Sequence, residues 1–160
     1  MSSKSSGYKY KTIAVGGTFD HIHKGHRSLL SRAFDSGEMV YIGLTSDDFV
    51  KRTGKVTLHN YDERLNQLRD YLEPHFQGRK YQISKLEENF GPAVLRGEIE
   101  AIAVSDETKS KVIEANRKRR ELGFNNLATE IVPMVVAYDH SRISSSRIRA
   151  GEIDAEGRQT

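Results

Sequence analysis

Thr12-Ile13-Ala14-Val15-Gly16-Gly17-Thr18-Phe19-Asp20-His21-Ile22-His23-Lys24-Gly25-His26 is the stretch that decides the fold. Its first four residues are a short apolar and β-branched run, as in a buried strand. From Lys24 a helical pattern begins, with Leu29, Leu30, Ala33 and Phe34 on one stripe. The two glycines between them let the backbone turn sharply and approach a ligand closely. A hydroxyl and three imidazoles then crowd the helix start, where unpaired amides and the dipole favour negative charge. Such a turn is expected to hold phosphate.

The same alternation continues along the chain. Further strands are predicted at 39–44, 80–83, 99–104 and 130–136, after the first at 12–15. Tyr61, Leu65, Leu68 and Leu72 recur at helical spacing behind an Asn60/Glu63 capping box. A third helix is predicted over 108–122, stopped by Gly123, and a short last one near the serines at 144. Near-continuous apolar strands alternating with helices predict an α/β, Rossmann-like, doubly wound parallel sheet of about five strands, with helices on both faces. Ligands in such sheets lie beyond the carboxyl ends of the strands, where the His-rich turn falls.

Composition narrows the function classes. A chain of 160 residues with 36% hydrophobic and 29% charged side chains is expected to form one domain over 10–160, after a flexible polar leader at 1–9. No apolar run approaches a membrane span or a signal-peptide core, so no membrane partner and a cytoplasmic location are expected. Having no Cys excludes disulfides and thiolate metal sites. Net charge is only +3, and the one dense basic cluster, Arg117-Lys118-Arg119-Arg120, reads as a solvated helix face. Without interleaved aromatics it predicts no nucleic-acid partner, although one or two of its side chains would suffice for a polyphosphate. Neither G-x-G-x-x-G nor G-x-x-x-x-G-K-[ST] occurs, which argues against a dinucleotide oxidoreductase or a P-loop kinase.

His23-Lys24-Gly25-His26 sets two imidazoles around a tight turn, both able to donate to phosphate oxygens. Plain helix capping is an alternative, and so is a zinc site on His21, His23 and His26, though no catalytic carboxylate marks one. Asp20 reads equally as a turn former or a ligand. Arg142-Ile143-Ser144-Ser145-Ser146-Arg147-Ile148-Arg149 offers a second cluster of hydroxyls and amides at a helix start.

Gly17-Thr18-Phe19-Asp20 with His23-x-Gly25-His26, and Ile143-Ser144-Ser145-Ser146 much later, resemble the HxGH nucleotidyltransferase superfamily. Within it the chain is most similar to the archaeal and eukaryotic type of the phosphopantetheine adenylyltransferase family. The supporting segments are Gly43-Leu44-Thr45-Ser46-Asp47-Asp48-Phe49-Val50, Tyr61-Asp62-Glu63-Arg64-Leu65, Val104-Ser105-Asp106-Glu107-Thr108 and Asn116-x-x-Arg119-x-x-x-Gly123. The bacterial form has Thr at the first histidine position and arginines after the fourth strand, so its residue roles there and its assembly do not carry over.

The resemblance implies adenylyl transfer from ATP to 4′-phosphopantetheine, with Mg2+ arriving with ATP and a monomer or small homo-oligomer as the working unit. It implies His26 at the α-phosphate and His23 supporting the triphosphate. Thr18 would orient the acceptor phosphate beside a catalytic lysine, for which Lys51 and Lys55 are both eligible by spacing. Gly16, Gly17, Thr18 and Phe19 would shape the ATP cleft. Ser144, Ser145, Ser146 and Arg147 would hold the distal phosphates, with Arg119 a further ATP-binding candidate. Rival readings are a cytidylyltransferase or FMN adenylyltransferase of the same superfamily, and a non-catalytic sensor of ATP or a coenzyme A precursor.

Overall fold

The computed structural model describes residues 7–91, 96–106, 108–133, 135, 137–139, 143 and 145–160. The elements are β1 (Tyr10–Gly17), α1 (Lys24–Ser36), β2 (Gly37–Thr45), α2 (Asp47–Arg52), α3 (Tyr61–His75), β3 (Lys80–Leu86), β4 (Ala101–Ser105), α4 (Lys111–Glu121), β5 (Ala128–Val132) and α5 (Ser145–Arg149). All strand pairings are parallel and the order is β3-β2-β1-β4-β5. The fold is the Rossmann-like α/β sheet the sequence predicts. The order reverses between β1 and β4, and the crevice at that reversal is where an open α/β sheet binds its ligand.

Strand alternation decides which helix lies on which face. Ile13 and Val15 of β1, with Val40, Ile42 and Leu44 of β2, pack against Leu30 and Phe34 of α1 and Leu68 and Leu72 of α3. Ala14 points the other way, joining Ile102 and Val104 of β4 and Val112 of α4. Each of the larger of these side chains, Val, Leu, Ile or Phe, stabilises the fold by about 1.5–3 kcal/mol on burial, so both layers hold the sheet. Gly37 permits the tight α1-to-β2 join, because a Cβ there would sit 2.4 Å from Ile13 Cγ2.

Element edges differ from the predicted ones for local reasons. β5 ends at Val132 because Pro133 has no amide to continue the ladder. Of the predicted strand 130–136, residues 134 and 136 lie outside the described residues. α2 was not predicted, although Ser46 caps it, accepting from the Phe49 amide at 3.0 Å, and two acidic residues open its first turn. The first six residues of the expected leader lie outside the described residues, whereas Tyr8 and Lys9 are anchored. The Tyr8 ring lies 4.4 Å from the Arg79 guanidinium, and Lys9 pairs with Glu130 at 2.8 Å.

Candidate active site

The turn after β1 is held from within by its own side chains. His23 is the N-cap of α1, its Nδ1 accepting from the amides of Gly25 at 3.1 Å and His26 at 3.3 Å. Accepting at Nδ1 places the ring proton of the neutral imidazole on Nε2. The His23 and His26 rings stack with centroids 3.7 Å apart. Capping occupies Nδ1 and puts the ring proton on Nε2, so the capping reading of His23 does not by itself exclude the phosphate-binding one.

His26 Nδ1 lies 2.9 Å from the His21 carbonyl, an acceptor only, so this nitrogen carries a proton. The His23 amide, 3.4 Å from the same nitrogen, is the weaker contact. Burial, reinforced by the neighbouring His23, pushes the His26 pKa down to about 3, so the ring is neutral in the ligand-free protein. His21 serves the turn through its backbone, and burial lowers the pKa of its own ring. Among the described residues no group of three or more His, Cys, Asp or Glu is placed to hold a metal ion.

Phe19 adopts φ 49°, a left-handed backbone that a bulky residue takes only under constraint. Its ring is fully buried, tilted against His26 at 4.9 Å. The bend turns Asp20 inward. That carboxylate, 2% exposed, accepts from the amides of Leu58 at 2.9 Å and His59 at 3.0 Å, from the His59 ring at 3.1 Å and from Arg149 at 3.1 Å. Burial alone would raise its pKa, but the two amides and the His59 ring outweigh it and hold it below the ordinary value. Asp20 is thus neither a plain turn former nor a free ligand. It ties the turn to the 53–60 loop and to α5.

Two cavities open at the carboxyl end of the sheet. One, of about 570 Å³, is walled by Phe19, His23, His26, Ser105, Ile143 and Arg149. The other, of about 370 Å³, is more apolar, walled by Tyr41, Phe49, Phe90, Ile102, Val104 and Lys111. Both are lined by Gly16, Gly17, Thr18 and Lys55, where they meet. Lys55 follows Gly54, whose φ of +77° reverses the chain after α2. Lys51 is exposed on α2 and stands on neither wall.

The hydroxyl-rich segment is partly described. Ser144 lies outside the described residues, and Ser145 and Ser146 contribute their backbone to the start of α5. Ile143 and Arg149 bracket them, and both stand on the wall that carries His23 and His26. Arg149 was passed over in the sequence, where nothing distinguished it from Arg147. Arg147 pairs with Asp139 at 2.6 Å and Glu152 at 3.0 Å and lines neither cavity.

Arg119 lies apart from both cavities. Only 1% exposed, it donates to the carbonyls of Asn125 at 2.8 Å, Arg96 at 3.2 Å and Ile99 at 3.0 Å, at the amino end of β4 and away from the cleft. Asn116, one turn earlier on α4, accepts from the Leu127 amide at 2.8 Å. The Asn116/Arg119 pair locks the α4-to-β5 connection. Arg119→Ala leaves three carbonyls short of a donor at about 1–3 kcal/mol each. At the low end of that range, about 3 kcal/mol in total, it is expected to lower Tm by roughly 6–12 °C for a chain of this size, with KM for ATP unchanged; a raised KM at normal Tm would return Arg119 to the site.

The cytidylyltransferase-like family model matches residues 14–151. The chain is similar to proteins named phosphopantetheine adenylyltransferase from three archaea. It is 44% identical to that of Methanothermobacter thermautotrophicus, covering 93% of this chain and 89% of the relative. For Pyrococcus abyssi the identity is 42%, over 93% and 95%. For Methanopyrus kandleri it is 39%, over 91% and 92%. Among solved structures, a protein of unknown function from Archaeoglobus fulgidus superposes with a TM-score of 0.69 at 26% identity, over 83% of this chain and 99% of that one. A tyrosyl-tRNA synthetase from the same organism shares the fold alone, with a TM-score of 0.65 at 14% identity over 87% and 60%.

Proposed function

The chain belongs to the cytidylyltransferase-like family and, within it, to the phosphopantetheine adenylyltransferases, and from that membership we propose how its residues divide the reaction. It is an enzyme of coenzyme A biosynthesis, transferring the adenylyl group of ATP to 4′-phosphopantetheine and releasing pyrophosphate. The observation that carries the residue assignment is the junction of the two cavities at Thr18 and Lys55. A transfer between two substrates needs each held on its own side, with the reacting atoms at the meeting point. The histidine-walled cavity suits ATP, and the apolar one suits the pantetheine arm.

The acceptor phosphate attacks the α-phosphorus of ATP. One oxygen–phosphorus bond forms, the bond to the β-phosphate oxygen breaks, and pyrophosphate departs. A phosphate monoester with a second pKa of about 6 is already anionic near neutral pH, so no general base is required. Catalysis then consists of in-line positioning and neutralisation of charge. With Nδ1 committed to the His21 carbonyl, His26 can donate from Nε2 only as the imidazolium. The arriving polyphosphate supplies the negative field that favours that form, so the ring is neutral when empty and charged against the α-phosphate. His23 supports the triphosphate through Nε2–H, and Arg149 extends the same wall with the amides of α5. Thr18 and Lys55 hold the acceptor phosphate. Magnesium enters as part of the ATP substrate, held by phosphate and water oxygens as its small hard ion prefers. The engaged Asp20 carboxylate is no seat for it.

Pyrophosphate release with ATP or CTP, against 4′-phosphopantetheine, glycerol 3-phosphate and FMN as acceptors, tests the reading. Release with ATP and phosphopantetheine alone is expected. Release with CTP, or with another acceptor alone, would replace the substrate assignment, and tight ATP binding without release would make the protein a sensor.

A further inference from the structure

Arg64 stands on α3 with none of its surface exposed, its guanidinium turned under the carboxyl ends of β1 and β2. Nη1 gives its two protons to the Thr18 carbonyl at 3.0 Å and the Thr45 carbonyl at 2.8 Å, the second shared in a longer bifurcated leg of 3.4 Å with the Thr45 hydroxyl. Nη2 pairs with Asp47 at 2.9 Å, and Nε donates to the His59 carbonyl at 3.1 Å. One side chain thus joins the residue before the Phe19 bend, the end of β2, the start of α2 and the end of the loop that carries Lys55.

The consequence for Thr18 follows from proton counting. A guanidinium has donors only and stays charged, so the Thr45 hydroxyl turns its lone pairs toward Arg64 and its single proton away. On that other side lies the Thr18 hydroxyl oxygen, 3.0 Å distant. Once Thr18 Oγ1 accepts this proton, its own proton has to point elsewhere, and Thr18 stands where the two cavities meet.

We propose that Arg64 and Thr45 form a directed hydrogen-bond relay that holds the Thr18 hydroxyl as a donor to the anionic phosphate of the acceptor. Arg64 and Thr45 are then positioning residues, acting through Thr18. The relay rests on the assignment of Thr18 to the acceptor phosphate. Its specificity follows from its polarity: a hydroxyl locked as a donor favours a phosphate monoester over an acceptor that must itself donate.

Thr45→Val keeps the β-branched shape in β2 and removes the relay hydroxyl. It is expected to lower kcat/KM for 4′-phosphopantetheine about tenfold, the scale of one directed hydrogen bond, with KM for ATP within about twofold. Thr45→Ser restores the wild-type value. In a Thr18→Val background the Thr45→Val change adds nothing, the non-additivity of residues in one network. Equal losses toward both substrates, or additive losses in the double variant, overturn the proposal. A ligand-free readout separates it from the functional reading. The Thr45 hydroxyl proton is expected to give a slowly exchanging resonance with a nuclear Overhauser contact to the Thr18 methyl. A proton found instead on Thr18 and aimed at Thr45 overturns the relay whatever the acceptor. The expected resonance in a protein that does not turn over phosphopantetheine supports the relay and sinks the substrate assignment.

Discussion

His26→Ala is expected to lower kcat about a hundredfold or more with the sheet intact and KM for ATP little changed. The magnitude follows from the loss of one charged donor to the charge that develops at the α-phosphate, a contact stronger in the transition state than in the ground state. The geometry gives the reason why no neighbour replaces it. His23 is fixed in place by capping α1 through Nδ1, and Arg149 by its pair with Asp20 at 3.1 Å, so neither moves into the position His26 vacates. Near-normal turnover in this variant would remove His26 from the chemistry.

The same residue predicts an acid sensitivity. The folded protein holds His26 at a pKa of about 3, whereas the unfolded chain returns it to 6.5. Between those values the unfolded state binds more protons, so stability falls as pH drops from about 6.5 toward 3 and is fully present above that window. The variant lacks this contribution. Its Tm difference between pH 7 and pH 5 is expected to be smaller than that of the wild type, and an unchanged difference would show that burial of His26 does not set the slope.

The fold was legible because its signals are local and repeated. The β1 run, the helical stripe of Leu29, Leu30, Ala33 and Phe34, and the Asn60/Glu63 box each encode an element without reference to the rest. The capping box forms as read, with Asn60 accepting from Glu63 at 2.9 Å and Glu63 from Asn60 at 3.0 Å. The turn was legible too, since a strand, two glycines and a helix start permit few geometries. Arginines were the weak point. Arg64, Arg119, Arg147 and Arg149 look alike in a string of residues, yet two are buried hubs, one is a surface ion pair and one stands in the cleft. What separates them is the tertiary position of the carbonyls and carboxylates they meet, which no local pattern carries. Arg64 did leave a faint trace, on α3 one residue before Leu65 of the apolar stripe. Asp20 is similar: its partners lie 38, 39 and 129 residues away.

The two loop lysines give the other large expected effect. Lys55→Met is expected to lower kcat/KM for 4′-phosphopantetheine about a hundredfold, while Lys51→Met stays within about threefold of wild type. Spacing could not choose between them, because both follow β2 at reachable distance. The structure separates them by chain direction. α2 carries Lys51 on an exposed turn, and Thr53 and Gly54 then reverse the chain. Lys55 comes back over the carboxyl ends of the strands and lines both cavities at their junction. Asp20 fixes the far end of that loop through the Leu58 and His59 amides, and Arg64 fixes the His59 carbonyl. On the proposed assignment, the Lys55 ammonium at the junction meets the acceptor phosphate as negative charge passes from it toward the α-phosphate. One such preorganised contact is worth about 2.7–4 kcal/mol in the transition state. Both lysines are exposed, so the difference rests on position: Lys51 lines neither cavity and has no comparable effect. A severe loss in Lys51→Met with a mild one in Lys55→Met would require the loop to refold on substrate binding and would overturn the placement of the acceptor phosphate at Thr18.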